Sequence, residues 1–137
     1  KQWAAERVAG EYDAAAIDRR LDAIILNRGG GEATAAAEAA EPTPVVVFSF
    51  TSCPFCKRAK ELLAAKGAAV AVVELDEDAD GPAMRARLGI RTGRTSVPSV
   101  WIGGEYVGGM NDGSPGLGPL DAEGRLEPML REAGALA

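Results

Sequence analysis

An apolar, largely β-branched run, Val45-Val46-Val47-Phe48-Ser49-Phe50, leads within three residues into Cys53-Pro54-Phe55-Cys56. The run reads as a buried strand. Pro54 suits the first turn of a helix, where the missing N–H has no intrahelical partner to lose. Ala59, Leu62 and Leu63 then mark the inner face of a helix that stops at Gly67. A strand that feeds directly into a helix, with both cysteines of the chain at the junction, restricts the fold to the α/β class.

The remaining elements fit around that corner. Residues 3–27 carry Ile17, Leu21, Ile24 and Ile25 at helical spacing and read as one helix, stopped by Gly29-Gly30-Gly31. Residues 29–44 are rich in Gly, Ala, Glu and Pro and read as a linker, with a weak helical tendency over Ala35–Ala40. Val70–Leu75 reads as a second strand, Asp76–Asp80 as an acidic turn and Pro82–Leu88 as a short helix. Ser96–Ile102 reads as a third strand, Gly103-Gly104 as a turn and Glu105-Tyr106-Val107 as its hairpin partner. Residues 117–133 read as a last helix, despite Gly124 and Pro128. The expected order is helix, β, α, β, α, β, β, α. Residues 1–44 form an amino-terminal extension and linker, and residues 45–137 one domain.

Composition removes several kinds of function. The 137 residues contain no histidine, so imidazole catalysis and His-ligated metal sites are excluded within this chain. Two cysteines cannot close a four-ligand zinc site on their own, and the expectation for metal is none. A net charge of −5 offers no basic footprint for nucleic acid. No apolar run approaches the roughly 20 residues that span a bilayer. The sequence starts at Lys1, and removal of an organelle transit peptide is one reading of that start.

A Cys-x-x-Cys pair can be a structural staple, half of a metal site or a redox centre. The flanking strand and helix point to the third. Disulfide exchange needs a thiolate. Cys53 stands where its sulfur faces the amides of a helix N-terminus, which carries about half a positive charge, and Lys57 and Arg58 add cationic potential. Cys56 lies about one helical turn on, more buried, placed to attack a mixed disulfide on Cys53 and expel the partner.

With these features in hand the chain resembles the glutaredoxins of the dithiol type. Three separated segments carry the resemblance: Val46-Val47-Phe48-Ser49 into Cys53-Pro54-Phe55-Cys56, Thr92-Gly93-Arg94-Thr95-Ser96-Val97-Pro98, and Gly108-Gly109-Met110-Asn111-Asp112. The resemblance implies a thioredoxin-like fold, a four-stranded mixed sheet flanked by helices, here with an N-terminal helical extension. It implies glutathione as electron donor, with disulfide-containing or glutathionylated proteins as partners. Cys53 is then the nucleophile and Cys56 the resolving thiol. Pro98 is the cis-proline facing them, and the Val97 backbone pairs with the cysteinyl unit of glutathione. Asp112 accepts the γ-glutamyl ammonium, the amides of Asn111 and Asp112 hold the adjacent carboxylate, Gly109 lets the ligand approach the backbone, and Arg94 meets the glycine carboxylate. Trp101 and Met110 are expected to serve packing.

Two departures from the family pattern stand out. Phe50 occupies a position commonly held by a lysine that binds a glutathione carboxylate, which leaves Lys57 or Arg58 as replacements. Gly113–Gly116 reads as an insertion between Asp112 and the last helix. A [2Fe–2S] cluster shared between two chains is an alternative that Pro54 and the second cysteine argue against. A structural subunit docked into a larger assembly through residues 1–40 is another. The expected location is a reducing compartment, either the cytosol or an organelle (chloroplast or mitochondrion) after transit-peptide removal.

Overall fold

The computed structural model describes residues 9–26, 44–113 and 115–136. Its elements are α1 (Ala14–Ile25), β1 (Val45–Ser49), α2 (Pro54–Ala65), β2 (Val70–Glu74), α3 (Gly81–Thr92), β3 (Ser99–Ile102), β4 (Glu105–Gly108), α4 (Leu117–Ala122) and α5 (Leu126–Glu132). The four strands form one mixed sheet in the order β2-β1-β3-β4, with β1 parallel to β2 and antiparallel to β3. β3 and β4 are joined by Gly103-Gly104, both at positive φ (60° and 83°), which the two-residue hairpin turn demands.

Alternation along β1 divides the core. Val46 and Phe48 face α1 and α3, where Ile17, Leu21, Ile24, Met84 and Leu88 close over them. Val45 and Val47 face the other way, onto Ala59 and Leu63 of α2 and Leu117, Leu120, Leu126 and Leu130 of the last two helices. A strand buried on both faces needs the continuous apolar run seen in its sequence. Each buried aliphatic side chain contributes roughly 1.5–3 kcal/mol, so the stripe on α1 fastens this helix firmly to the sheet. Ion pairs rim the stripe: Arg20 reaches Asp78 at 2.7 Å and Asp80 at 2.8 Å, Arg87 reaches Asp18 at 2.9 Å, and Arg91 reaches Asp22 at 2.8 Å.

Four elements differ from the sequence expectation by more than one residue, each for a local reason. The first helix starts at Ala14 rather than running unbroken from residue 3, because Gly10 turns left-handed (φ 69°) and Asp13 caps the Ala16 amide at 3.1 Å. Residues 3–8, 27 and most of the expected linker, including Ala35–Ala40, lie outside the described residues. The helix expected over Pro82–Leu88 extends to Thr92 and ends on left-handed Gly93. Its first residue has to be glycine, since a Cβ on Gly81 would lie 1.7 Å from the Leu75 carbonyl oxygen. β3 begins at Ser99, after Pro98, which has no N–H for the ladder. The single last helix is two, divided at Gly124 (φ 71°), with Pro128 in the first turn of α5.

Candidate active site

Cys53 is the N-cap of α2. Its backbone is extended (φ −85°, ψ 119°), and its Sγ accepts a hydrogen bond from the Cys56 amide at 3.1 Å. An orphan amide of the first turn thus meets sulfur where a Ser or Asp oxygen would otherwise cap. The approach to the cap is held at two points. The Cys53 N–H donates to the Phe50 carbonyl at 3.1 Å. The Thr51 N–H and hydroxyl donate to the Asp76 carboxylate on the β2–α3 turn. The Thr51 hydroxyl holds that carboxyl below the usual carboxylate range.

One turn of helix separates two different environments. Both cysteines are free thiols, Cys53 half-buried and Cys56 fully buried. Burial first, then the hydrogen bond with the Cys53 side chain, pushes the Cys56 thiol from 9.0 up to about 11. At neutral pH Cys56 is therefore a protonated thiol, while Cys53 is the sulfur with access to a substrate.

The segment opposite is Val97-Pro98, joined by a cis peptide bond. The Val97 carbonyl oxygen stands 4.0 Å from the Cys53 sulfur. Arg94, Val97, Pro98, Gly109, Asn111 and Asp112 line one cavity of about 210 Å3, with Phe55 of α2 on its wall. The three sequence segments separated by up to some 60 residues therefore converge. Lys57 does not join them; it is exposed on α2 and absent from the lining. Trp101 is buried as expected, its indole N–H donating to the Ser99 hydroxyl at 3.0 Å. Met110 packs against the α2 side of the core and also lines the cavity. A larger hollow of about 470 Å3 lies between the β3–β4 turn and α5, lined by Glu105, Arg125, Met129 and Glu132, and holds no thiol.

Three contacts at the site were not visible in the linear sequence. The Arg85 guanidinium lies 5.6 Å from the centroid of the Phe50 ring, and its Nε donates to the Thr95 carbonyl at 2.9 Å. A cation therefore stands beside the position where a lysine is commonly found, supplied from α3. The Arg94 guanidinium meets the Asp112 carboxylate at 2.9 Å. The segment after Asp112 is stitched to the loop before it. The amides of Gly116, Leu117 and Gly118 donate to the carbonyls of Val107, Gly109 and Met110 at 2.8, 2.9 and 2.6 Å. α4 accordingly starts at Leu117, beyond the inserted residues, of which Ser114 is outside the described set.

Comparison with known proteins agrees with this geometry. The family model described as Glutaredoxin matches residues 45–107. Glutaredoxin-C2 of Arabidopsis thaliana is 45% identical over 102 residues, 74% of this chain and 88% of the relative. The chloroplastic Glutaredoxin-C4 of Oryza sativa subsp. japonica is 44% identical over 102 residues, 74% of each chain. Among solved structures, a buckwheat glutaredoxin–glutathione complex superposes with a TM-score of 0.75 at 32% identity, covering 90% of this chain and 96% of that one. The mixed four-stranded sheet, the thiol at the N-terminus of α2 and these similarities lead to one conclusion: the chain belongs to the glutaredoxin family.

Proposed function

We propose that this chain is a glutathione-dependent thiol–disulfide oxidoreductase that reduces protein disulfides and protein–glutathione mixed disulfides. The observation that carries this reading is the position of Cys53: a half-exposed sulfur capping α2, facing the Val97-Pro98 bond beside the cavity between Phe55 and Asp112. The buckwheat relative, solved as a complex with glutathione, supports that ligand.

With a glutathionylated protein, the Cys53 thiolate attacks the glutathionyl sulfur. The protein sulfur leaves and takes up a proton, and glutathione is now disulfide-bonded to Cys53. A second glutathione thiolate attacks the bound glutathionyl sulfur, releasing glutathione disulfide and the Cys53 thiolate. With a protein disulfide, the Cys53 thiolate attacks one substrate sulfur to form a mixed disulfide, and the other substrate sulfur leaves and takes up a proton. Cys56 then gives up its proton and attacks Cys53, forming the Cys53–Cys56 disulfide and releasing the second substrate thiol. The high proton affinity of Cys56 keeps it from competing as the first nucleophile.

Each binding role belongs to the same reading. The Val97 backbone offers a strand edge to the cysteinyl unit, Gly109 allows close approach, and Asn111 and Asp112 receive the γ-glutamyl end. Arg85, over the Phe50 ring, is a second candidate cation for the glycine carboxylate beside Lys57; both stand outside the cavity lining. The chain's partners are then glutathione and oxidised or glutathionylated proteins, in a reducing compartment, cytosolic or organellar. The test is glutathione-dependent reduction of a glutathionylated peptide by wild type, Cys53→Ser and Cys56→Ser. Wild type and Cys56→Ser should turn over, with Cys53→Ser falling to the uncatalysed rate. Undiminished turnover by Cys53→Ser would overturn the reading.

A further inference from the structure

The cationic side chains are compensated over most of the molecule and left bare around Cys53. Arg20, Arg87 and Arg91 pair with aspartates, Lys66 with Asp121 and Glu127, and Arg125 with Glu123. Lys57, Arg58 and Arg85 have no ion-pair partner among the described residues. Beyond them the same holds only for Arg19 on α1 and Arg131 on α5, which stand singly. The carboxylates of the thiol corner are already engaged, Asp76 by the Thr51 amide and hydroxyl and Asp112 by Arg94. Glu61 is exposed one turn beyond Lys57, further along α2.

We propose that the exposed start of α2, formed by Phe55, Lys57 and Arg58, docks the protein part of the substrate and favours proteins with acidic residues beside the reacting sulfur. This rests on the thiol-exchange reading given above and assigns Lys57 to the protein substrate instead of to glutathione. The charge distribution supports it first. The chain has a net charge of −5. A negative body with one bare cationic spot repels an acidic partner elsewhere and admits it there, with the spot beside the reactive sulfur.

Reach is the second support. Lys57 and Arg58 lie four and five residues after Cys53, a rise of about 6–7.5 Å along the helix. An extended chain advances about 3.3–3.6 Å per residue, so the first residues flanking a sulfur bonded to Cys53 come within range of both side chains. Both cations are exposed and outside the cavity lining, so a group filling the cavity does not cover them. The third support is order. The Arg58 guanidinium lies 5.3 Å from the centroid of the exposed Phe55 ring. That contact holds a planar fork over an apolar face and reduces the side-chain freedom lost when a carboxylate pairs with it. An acidic flank by itself repels the Cys53 thiolate, and the two cations offset that repulsion during the encounter.

Three glutathionylated peptides test the assignment. They share one sequence, except that the residues flanking the modified cysteine are Glu, Gln or Lys. At fixed glutathione, kcat/KM is measured for each with wild type and with Lys57→Gln/Arg58→Gln. Wild type should prefer the Glu peptide to the Lys peptide by about tenfold at low ionic strength, with the Gln peptide between them. The preference should shrink at about 0.5 M salt, where exposed charges are screened. The double variant should lose about fivefold of the preference, the worth of two exposed charge pairs. The ratio between peptides is the readout, so a loss common to all three cancels. A preference unchanged in the double variant overturns the proposal. An equal loss on all three peptides also overturns it and returns Lys57 and Arg58 to the glutathione they share. Turnover of none of the peptides by wild type removes the thiol-exchange reading and the proposal with it.

Discussion

The two faces of the sheet bury similar side chains and serve different ends. On the face under α1 and α3, an aliphatic stripe is closed by Ile17, Leu21 and Ile24, and its rim is tied by arginine–aspartate pairs. On the face under α2, the same kind of core supports a thiol pair at its edge, with Cys56 and Ser49 buried beside Val47 and Leu63. The first face contributes adhesion, and the second contributes position. Polar groups are placed accordingly. The ion pairs of α1 rim its apolar stripe, from the largely buried Arg20–Asp78 pair to the more open Arg91–Asp22 pair, whereas the polar contacts of the α2 corner fix Thr51, the Cys53 sulfur and the Val97 carbonyl relative to one another.

The largest effect that would break this contrast is on the α1 face. Leu21 is fully buried, and Leu21→Ala should cost about 2–5 kcal/mol of stability. Turnover per folded molecule should stay near the wild-type value, because no thiol belongs to that core cluster and Val97, at its margin, is the one cavity-lining residue packed against it among the described residues. Denaturant melts read beside peptide deglutathionylation check both halves. An equal loss of specific activity in the folded fraction would mean that the two faces are not separable.

A smaller effect sharpens the contrast from the other face. The Cys56 thiol titrates at about 11 in the fold, against 9.0 for an ordinary cysteine. Between those values the unfolded chain loses the proton and the folded chain keeps it. The stability gained by keeping Cys56 neutral is whole below pH 9 and is lost as pH rises towards 11. The urea midpoint of reduced wild type should therefore fall more steeply over this interval than that of Cys56→Ala. Parallel slopes would show that the buried thiol does not carry the linkage.

The parts of the fold legible in sequence are those set by local chemistry. The run into Cys53 announced a strand and a helix because a β-branched stretch and an N1 proline have few other uses. Gly93 and Gly124 were equally visible, but a glycine within an apolar pattern does not say whether it ends a helix. α3 ran on through Gly89 to Gly93, while the last helix broke at Gly124. The convergence of Arg94, Val97, Pro98 and Asp112 followed from family resemblance, and the structure brings all four to one cavity. What stayed hidden were contacts created by tertiary packing. Arg85 meets Phe50 from 35 residues away, and Arg94 meets Asp112 across 18. Neither distance has a periodicity that a strand or helix would imprint on sequence. Lys57 illustrates the converse: close in sequence to Cys53, it is exposed on α2 and is not among the residues that line the cavity.

The central claim is that one turn of α2 makes two chemically unlike sulfurs, with Cys53 the one that reacts. The most direct measurement is a brief, substoichiometric alkylation of the reduced protein with iodoacetamide at neutral pH, followed by mass mapping of each cysteine. The account predicts label on Cys53, the half-exposed cap of α2, and little on Cys56, which is buried and protonated. Label divided evenly between the two, or found first on Cys56, would contradict it.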